Sequence, residues 1–205
     1  MSALFIADSV KAQQNSALYE TSVEKYHERW GRLIPRFAKF QYAGSMGLAS
    51  VGTGWIYGKK EQWETDFIIG YVPKYTTTRA KMSVTLKENY IPWHLQTRNQ
   101  NIFIEPLTCG LYINTILDND FWVKEPCKYH SPYYNFSTKV RLNIYIGQRV
   151  TYEINPDKRH HFKSVSAFYE ISSNELYIVS AFGNRKYLQP TDYLHLSFGV
   201  KIQWF

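Results

Sequence analysis

Residues 139–150 alternate almost without a break. Val140, Leu142, Ile144, Ile146 and Val150 occupy one phase, and Lys139, Arg141, Asn143, Tyr145 and Arg149 occupy the other. Successive side chains of an extended chain point to opposite faces, so this segment is a strand with one apolar and one polar face. Two further segments repeat the pattern. In 81–91, Met82, Val84 and Leu86 alternate with Lys81, Ser83, Thr85, Lys87 and Asn89. Near the C-terminus, Leu194, Leu196, Phe198, Val200, Ile202 and Trp204 share one face, and His195, Ser197, Gly199, Lys201 and Gln203 share the other.

Weaker extended segments lie between these. Residues 42–57 are rich in Gly, Ala and Ser and end in Trp55 and Tyr57. In 62–75, Trp63, Thr65, Phe67, Ile69 and Tyr71 oppose Glu64, Asp66 and Gly70. Residues 101–116 carry Phe103, Leu107, Leu111 and Ile113, and 163–182 form one long run. A turn at Ser172-Ser173-Asn174 divides that run and brings the count to eight strands; without it the count is seven, an odd number that bacterial single-chain barrels do not use. About 170 residues follow Pro35, roughly 21 per strand and connection, against the ~9–11 that a tilted membrane-spanning strand needs.

The N-terminal part reads differently. Leu18, Ser22 or Val23, Tyr26, Trp30 and Leu33 recur at helical spacing, with Ser16 as cap and Pro35 as stop, which predicts one short amphipathic helix. Before it, Leu4-Phe5-Ile6 and a small-residue site ending at Ala12 read as the remnant of an export signal. The expected organisation is therefore a signal remnant over 1–12, a helical periplasmic segment over 13–35 and a β-barrel over 36–205.

A two-faced sheet closes in one of two ways. A soluble lipocalin-like barrel turns its apolar face inward around a ligand, whereas an outer-membrane barrel turns it outward to lipid and fills its lumen with polar side chains. Mean hydropathy is −0.39 and no run of about 18 apolar residues exists, which excludes a transmembrane helix but not a barrel. Aromatic residues reach 17% and cluster near predicted strand ends: Tyr57, Trp63, Tyr71, Tyr75, Tyr90, Trp93 and Trp204. Interfacial girdles place such rings at the headgroup level. The formal charge of +7 is scattered, with no run of five Lys or Arg, so it points to a solvated surface, a lumen or lipid phosphate and not to nucleic acid.

The C-terminal YLHLSFGVKIQWF resembles the terminal strand of Gram-negative outer-membrane barrels, and YAGSMGLASVGTGWIYG with TDFIIGYVPKY resembles a first hairpin of small Bacteroidota-type barrels. The resemblance covers roughly residues 40–205. It implies a closed antiparallel transmembrane barrel in the outer membrane, in contact with lipid and lipopolysaccharide. It also implies recognition of the last strand by the barrel assembly machinery, and other envelope proteins as partners. Phe205 departs from the pattern, being out of phase with Trp204. The strand count also puts the long connection 117–137 on the side of the chain termini, where such barrels keep their turns short.

Chemistry is sparse. No GxSxG, P-loop, HExxH or dinucleotide fingerprint is present, and no cofactor or metal is expected. Cys109 and Cys127 can close one disulfide in an oxidising compartment or stay free; neither has zinc-ligand spacing. His195 and Ser197 stand two apart on one strand face, an arrangement similar to that of lipid A 3-O-deacylase barrels, with Glu170 or Glu175 as the acid. That family places its acid after the pair, and nothing acidic follows Asp192. The polar phase otherwise carries Lys87, Arg141, Arg149, Glu170 and Lys201, read as a salt-bridged lumen in which Glu170 meets Lys87, Arg141 or Lys201. Val140, Leu142, Ile144, Ile146, Leu196, Phe198 and Val200 are read as lipid-facing. Three functions follow: a structural or accessory barrel of an envelope complex, a lipid A-modifying hydrolase, and a lipocalin-like soluble binder.

Overall fold

Period-two patterning leaves each strand with a face that no helix covers, and the chain resolves this by closing the sheet on itself. A computed structural model describes residues 20–27, 29–74, 80–117, 140–175 and 193–204. The chain divides into two units, Met1–Pro35 and Arg36–Phe205. In the first, residues 20–27 and 29–31 are helical, and the rings of Tyr26 and Trp30 lie 5.8 Å apart, one turn from each other. The segment assigned to an export signal and the Ser16 cap lie outside the described residues.

The second unit is the barrel. Its strands are β1 (Phe37–Ala43), β2 (Ala49–Tyr57), β3 (Trp63–Val72), β4 (Lys81–Tyr90), β5 (Leu95–Gln96), β6 (Ile102–Leu117), β7 (Val140–Glu153), β8 (Ser164–Asn174) and β9 (His195–Gln203). All neighbours pair antiparallel in the order β4-β3-β2-β1-β9-β8-β7-β6, and β4 pairs with β6 to close the ring. The two-residue β5 lies alongside β6 at one end, so the closed barrel has eight strands. Closure removes every long sheet edge.

The strand count of eight is reached by a different route from the expected one. Ser172, Ser173 and Asn174 do not turn; they continue β8, paired to β7 and, at Ser172, to β9. The additional strand comes from 36–57, where a hairpin divides the segment into β1 and β2. Left-handed backbone at Ala43 (φ 62°), Gly44 (φ 85°) and Gly47 (φ 126°) makes this turn. The run of Gly, Ala and Ser hides it in the sequence because small residues suit both a bent strand and a turn.

This shift reverses the end at which the connections from 58–62 to 154–163 lie, and the loss of the expected turn at 172–174 restores the last one. β1 begins and β9 ends at one end of the barrel, the near end. The connections 58–62, 91–101 and 154–163 lie there, and 44–48, 73–80, 118–139 and 175–194 leave from the far end. The long connection between β6 and β7 therefore departs from the end opposite the start of β1 and the end of β9, which corrects the expected side.

β6 contains the one marked irregularity of the ladder. Its register to β7 shifts between Glu105 and Thr108, so both face inward although three positions separate them. Pro106, which has no N–H to donate, sits in this bulge. The shift puts Phe103 on the inward phase while Leu111 and Ile113 are exposed, so these residues of 101–116 do not share a face.

Around the ring the apolar phase faces outward. Phe40, Tyr42, Val51, Phe67, Ile69, Leu86, Leu111, Ile113, Ile144, Ile146, Phe198 and Val200 are exposed, whereas the alternate positions are buried in the lumen. The interior wall is fitted by three cross-strand pairs in which an aromatic ring faces a glycine: Phe37 with Gly54, Tyr145 with Gly110 and Phe168 with Gly199. A Cβ at Gly54 or Gly199 would run into the opposing ring.

Candidate functional site

The lumen is the only part of the described barrel where polar chemistry is concentrated, and alternation on eight strands delivers it there. Among the described residues, Lys39, Lys87, Arg149 and Lys201 meet Glu64, Asp66, Glu105 and Glu170 in the buried interior, and Lys81 is buried on the same inward phase of β4. Lys39 Nζ on β1 lies 2.5 Å from Asp66 Oδ2 on β3. Lys87 Nζ on β4 lies 2.5 Å from both carboxylate oxygens of Glu170 on β8. Glu64 on β3 accepts from Lys201 on β9 and from Arg149 on β7, the latter at 3.0 Å and 3.2 Å. Arg149 Nε also donates to Glu105, and His94 Nδ1 lies 3.2 Å from the same carboxylate.

Rings complete the enclosure. Lys87 Nζ lies 3.8 Å from the Tyr145 ring centroid, Lys201 Nζ 4.3 Å from that of Phe37, and Lys39 Nζ 5.2 Å from that of Phe168. An ammonium between a carboxylate and a π face is stabilised from both sides. The Tyr145 hydroxyl donates to Asn89 Oδ1 at 2.5 Å, and Asn89 Nδ2 donates to the Glu64 carbonyl at 2.9 Å, which ties the ionic layer to the sheet.

Above this layer, toward the far end, the first hairpin folds inward. Met46 is 1% exposed and packs with Ile68, Tyr112 and Tyr145. Gly70 makes this possible, since a Cβ there would collide with the Met46 carbonyl, which accepts from Ser83 Oγ. Within the ionic layer, lined by Lys39, Glu64, Asn89, Tyr145, Arg149 and Glu170, the free space is about 10 Å³. That is room for about one water molecule. At the near end a polar cavity of about 230 Å³ opens above Glu64, Glu105, Thr151 and Lys201 and is bordered by His94 and Phe103.

The residues singled out in the sequence fall as follows. Lys87 and Glu170 meet directly; Lys201 and Arg149 converge on Glu64. Arg141 stands apart, 3.5 Å from Glu175 near the far end. Ser197 is buried, and its hydroxyl donates to the backbone carbonyl of Glu170 at 3.4 Å, while the carboxylate of Glu170 is taken up by Lys87. His195 pairs across the strands with Ser172, whose hydroxyl donates to the His195 carbonyl at 3.4 Å. The acid proposed for the His195–Ser197 pair is therefore engaged elsewhere. Val140, Leu142, Ile144, Ile146, Leu196, Phe198 and Val200 are all exposed on the exterior. Cys109 is a free thiol on the outward phase of β6; Cys127, and with it the candidate disulfide, lies outside the described residues, as do Tyr75 and Phe205.

Lys39, Glu64, Asp66 and Glu105 were not assigned to this network from the sequence. Glu64 and Asp66 stand on the polar phase of 62–75 and were legible as inward-facing there. Lys39 was hidden with β1, and Glu105 was hidden by the bulge.

No protein family, curated protein or solved structure matches this chain. The class that fold and lumen define is a closed eight-stranded antiparallel β-barrel with an apolar exterior and an ion-paired interior.

Proposed function

We propose that this chain is a small outer-membrane β-barrel of a Gram-negative cell, with a structural or accessory interaction role as a subunit of an envelope complex. One observation carries the reading: apolar side chains line the outside of the barrel strands, and the inside is filled with ion pairs. In water this arrangement is unfavourable on both counts. It exposes apolar area that a soluble protein buries, and it withdraws charges from solvent. In lipid the first term reverses, because the exterior meets hydrocarbon; the second is offset by pairing within the lumen, and the closed ladder satisfies the backbone polar groups.

The buried ion pairs that cross the lumen speak against conduction. The partners that fit this reading are phospholipid and lipopolysaccharide at the exterior band, the barrel assembly machinery during insertion, and other envelope proteins. The competing soluble, lipocalin-like reading has the same strand number but needs an apolar interior for its ligand.

The test is refolding into lipid vesicles, followed by electrophoresis of boiled and unboiled samples and by protease digestion. The expected result is a heat-modifiable band and protection of the strands that depends on the vesicles. A protein that stays monomeric and folded in buffer without lipid or detergent overturns the reading and favours the soluble binder.

A further inference from the structure

Near the near-end rim, the exterior carries a patch unlike the rest of the apolar band. The register aligns Tyr57, Trp63 and Tyr90 in one row across β2, β3 and β4, and Trp55, Thr65 and Glu88 in the row below. These positions alternate with buried Ile56, Glu64 and Asn89, so all six belong to the outward phase. Glu88 is the anomaly, a carboxylate on a face whose next outward neighbours toward the barrel waist are Phe67 and Leu86.

Its surroundings are built. Thr65 Oγ1 donates to Glu88 Oε2 at 2.6 Å, and the Tyr57 hydroxyl donates to Glu88 Oε1. Each oxygen keeps lone-pair capacity for one more donor. The two hydroxyls fix the carboxylate without neutralising it, and among the described residues no Lys, Arg or His pairs with it. Beside it, the Trp63 and Tyr90 rings lie 4.7 Å apart at 43°, both partly exposed. A fixed carboxylate at the headgroup level attracts a counter-charge. Aromatic faces next to a carboxylate attract a cation with N–H donors.

We propose that Glu88, Tyr57 and the Trp63–Tyr90 pair form a binding site for the primary ammonium of a phosphatidylethanolamine headgroup, with Phe67 and Leu86 beneath it receiving the acyl chains. The proposal rests on the membrane reading. The ammonium donates to the free lone pairs of Glu88 and sits against the rings. A choline headgroup brings the charge but no N–H for the free lone pairs, and a glycerol headgroup brings no positive charge, so neither meets both demands.

The test uses the full chain refolded into vesicles of phosphatidylcholine, phosphatidylethanolamine and phosphatidylglycerol in equal parts, then extracted gently and examined by native mass spectrometry. Wild type is expected to keep one phosphatidylethanolamine in preference to both other lipids. Glu88→Gln should lower that retention by about tenfold, as loss of one charge-assisted hydrogen bond would. Tyr57→Phe, which keeps the charge and removes one support, should lower it less and serves if Glu88→Gln fails to insert. Glu153→Gln, at the same end but paired with Arg159, should leave it unchanged. Equal retention of the three lipids by wild type, or undiminished phosphatidylethanolamine on Glu88→Gln, overturns the site while insertion into the vesicles still stands. Failure of wild type to insert at all removes the membrane reading and the site with it.

Discussion

Lys87 and Glu170 are separated by 83 positions in the chain and meet across the lumen, Nζ lying 2.5 Å from each carboxylate oxygen. Lys87 is fully buried, and Glu170 nearly so. Such a pair fixes which strands face each other more than it adds net stability, because desolvation offsets much of the attraction. Removing one partner is a different matter, since it strands the other charge inside. Glu170→Gln or Lys87→Met should each destabilise the barrel by about 3–5 kcal/mol. The double variant Lys87→Met/Glu170→Gln should lose less than the sum of the two singles. Urea unfolding in detergent micelles, followed by tryptophan fluorescence, measures the coupling. Additive losses would mean that the two groups do not act as a pair.

The facing of Phe168 and Gly199 gives a second expectation. A Cβ at Gly199 would enter the Phe168 ring and the Phe40 carbonyl. Gly199→Ala should therefore cost about 1–3 kcal/mol, the range for overpacking a filled interior. Adding Phe168→Leu should recover only part of this, because the ring can yield and the backbone carbonyl cannot. The same unfolding assay reads both, and full recovery would show that the ring alone is the obstacle.

Most of the architecture could be read from alternation. The clean segments 81–91, 139–150 and 194–204 became β4, β7 and β9 with their apolar phases outward, because long alternating runs admit only one face assignment. Two places escaped for physical reasons. Ala43 to Leu48 is mostly small residues with only Met46 and Leu48 of any bulk, too few to declare a phase, and the turn is set by left-handed backbone at Ala43, Gly44 and Gly47, which no side-chain pattern reports. At Pro106 the ladder slips, so parity no longer connects Phe103 to Leu111. The lumen pairs were legible as a set of inward charges but not as partners. Lys201 was a candidate for Glu170, yet it joins Arg149 at Glu64, because partner choice depends on stagger between strands distant in sequence.

The exterior can be tested by depth. Ile144 is exposed on β7 well inside its length, and Tyr152 is exposed on the same strand beside its near-end terminus. In lipid vesicles Ile144→Arg should cost about 2–4 kcal/mol and Tyr152→Arg about 0–1 kcal/mol, as arginine does at the midplane and at the interface of barrels. Equilibrium refolding in vesicles measures both. Equal, small penalties at the two positions would place neither in hydrocarbon.

Ser197 provides the test of catalysis. A serine nucleophile needs an imidazole held within hydrogen-bond reach, an acid orienting that imidazole, and donors for the oxyanion. Here the Ser197 hydroxyl donates to the Glu170 backbone carbonyl, and Gly44 packs directly over its Cβ. The Glu170 carboxylate serves Lys87, and Glu175 lies 3.5 Å from Arg141. A buried hydroxyl so engaged, on the lumen side of the wall, does not reach an acyl ester in the surrounding lipid. Expression of the wild-type protein in a Gram-negative host should therefore leave the lipid A mass spectrum unchanged. Ser197→Ala should alter only stability, by about 1 kcal/mol for one lost hydrogen bond. A loss of one hydroxyacyl chain that appears with wild type and disappears with Ser197→Ala would instead establish a deacylase, and would require β9 to rearrange so that His195 and Ser197 face substrate.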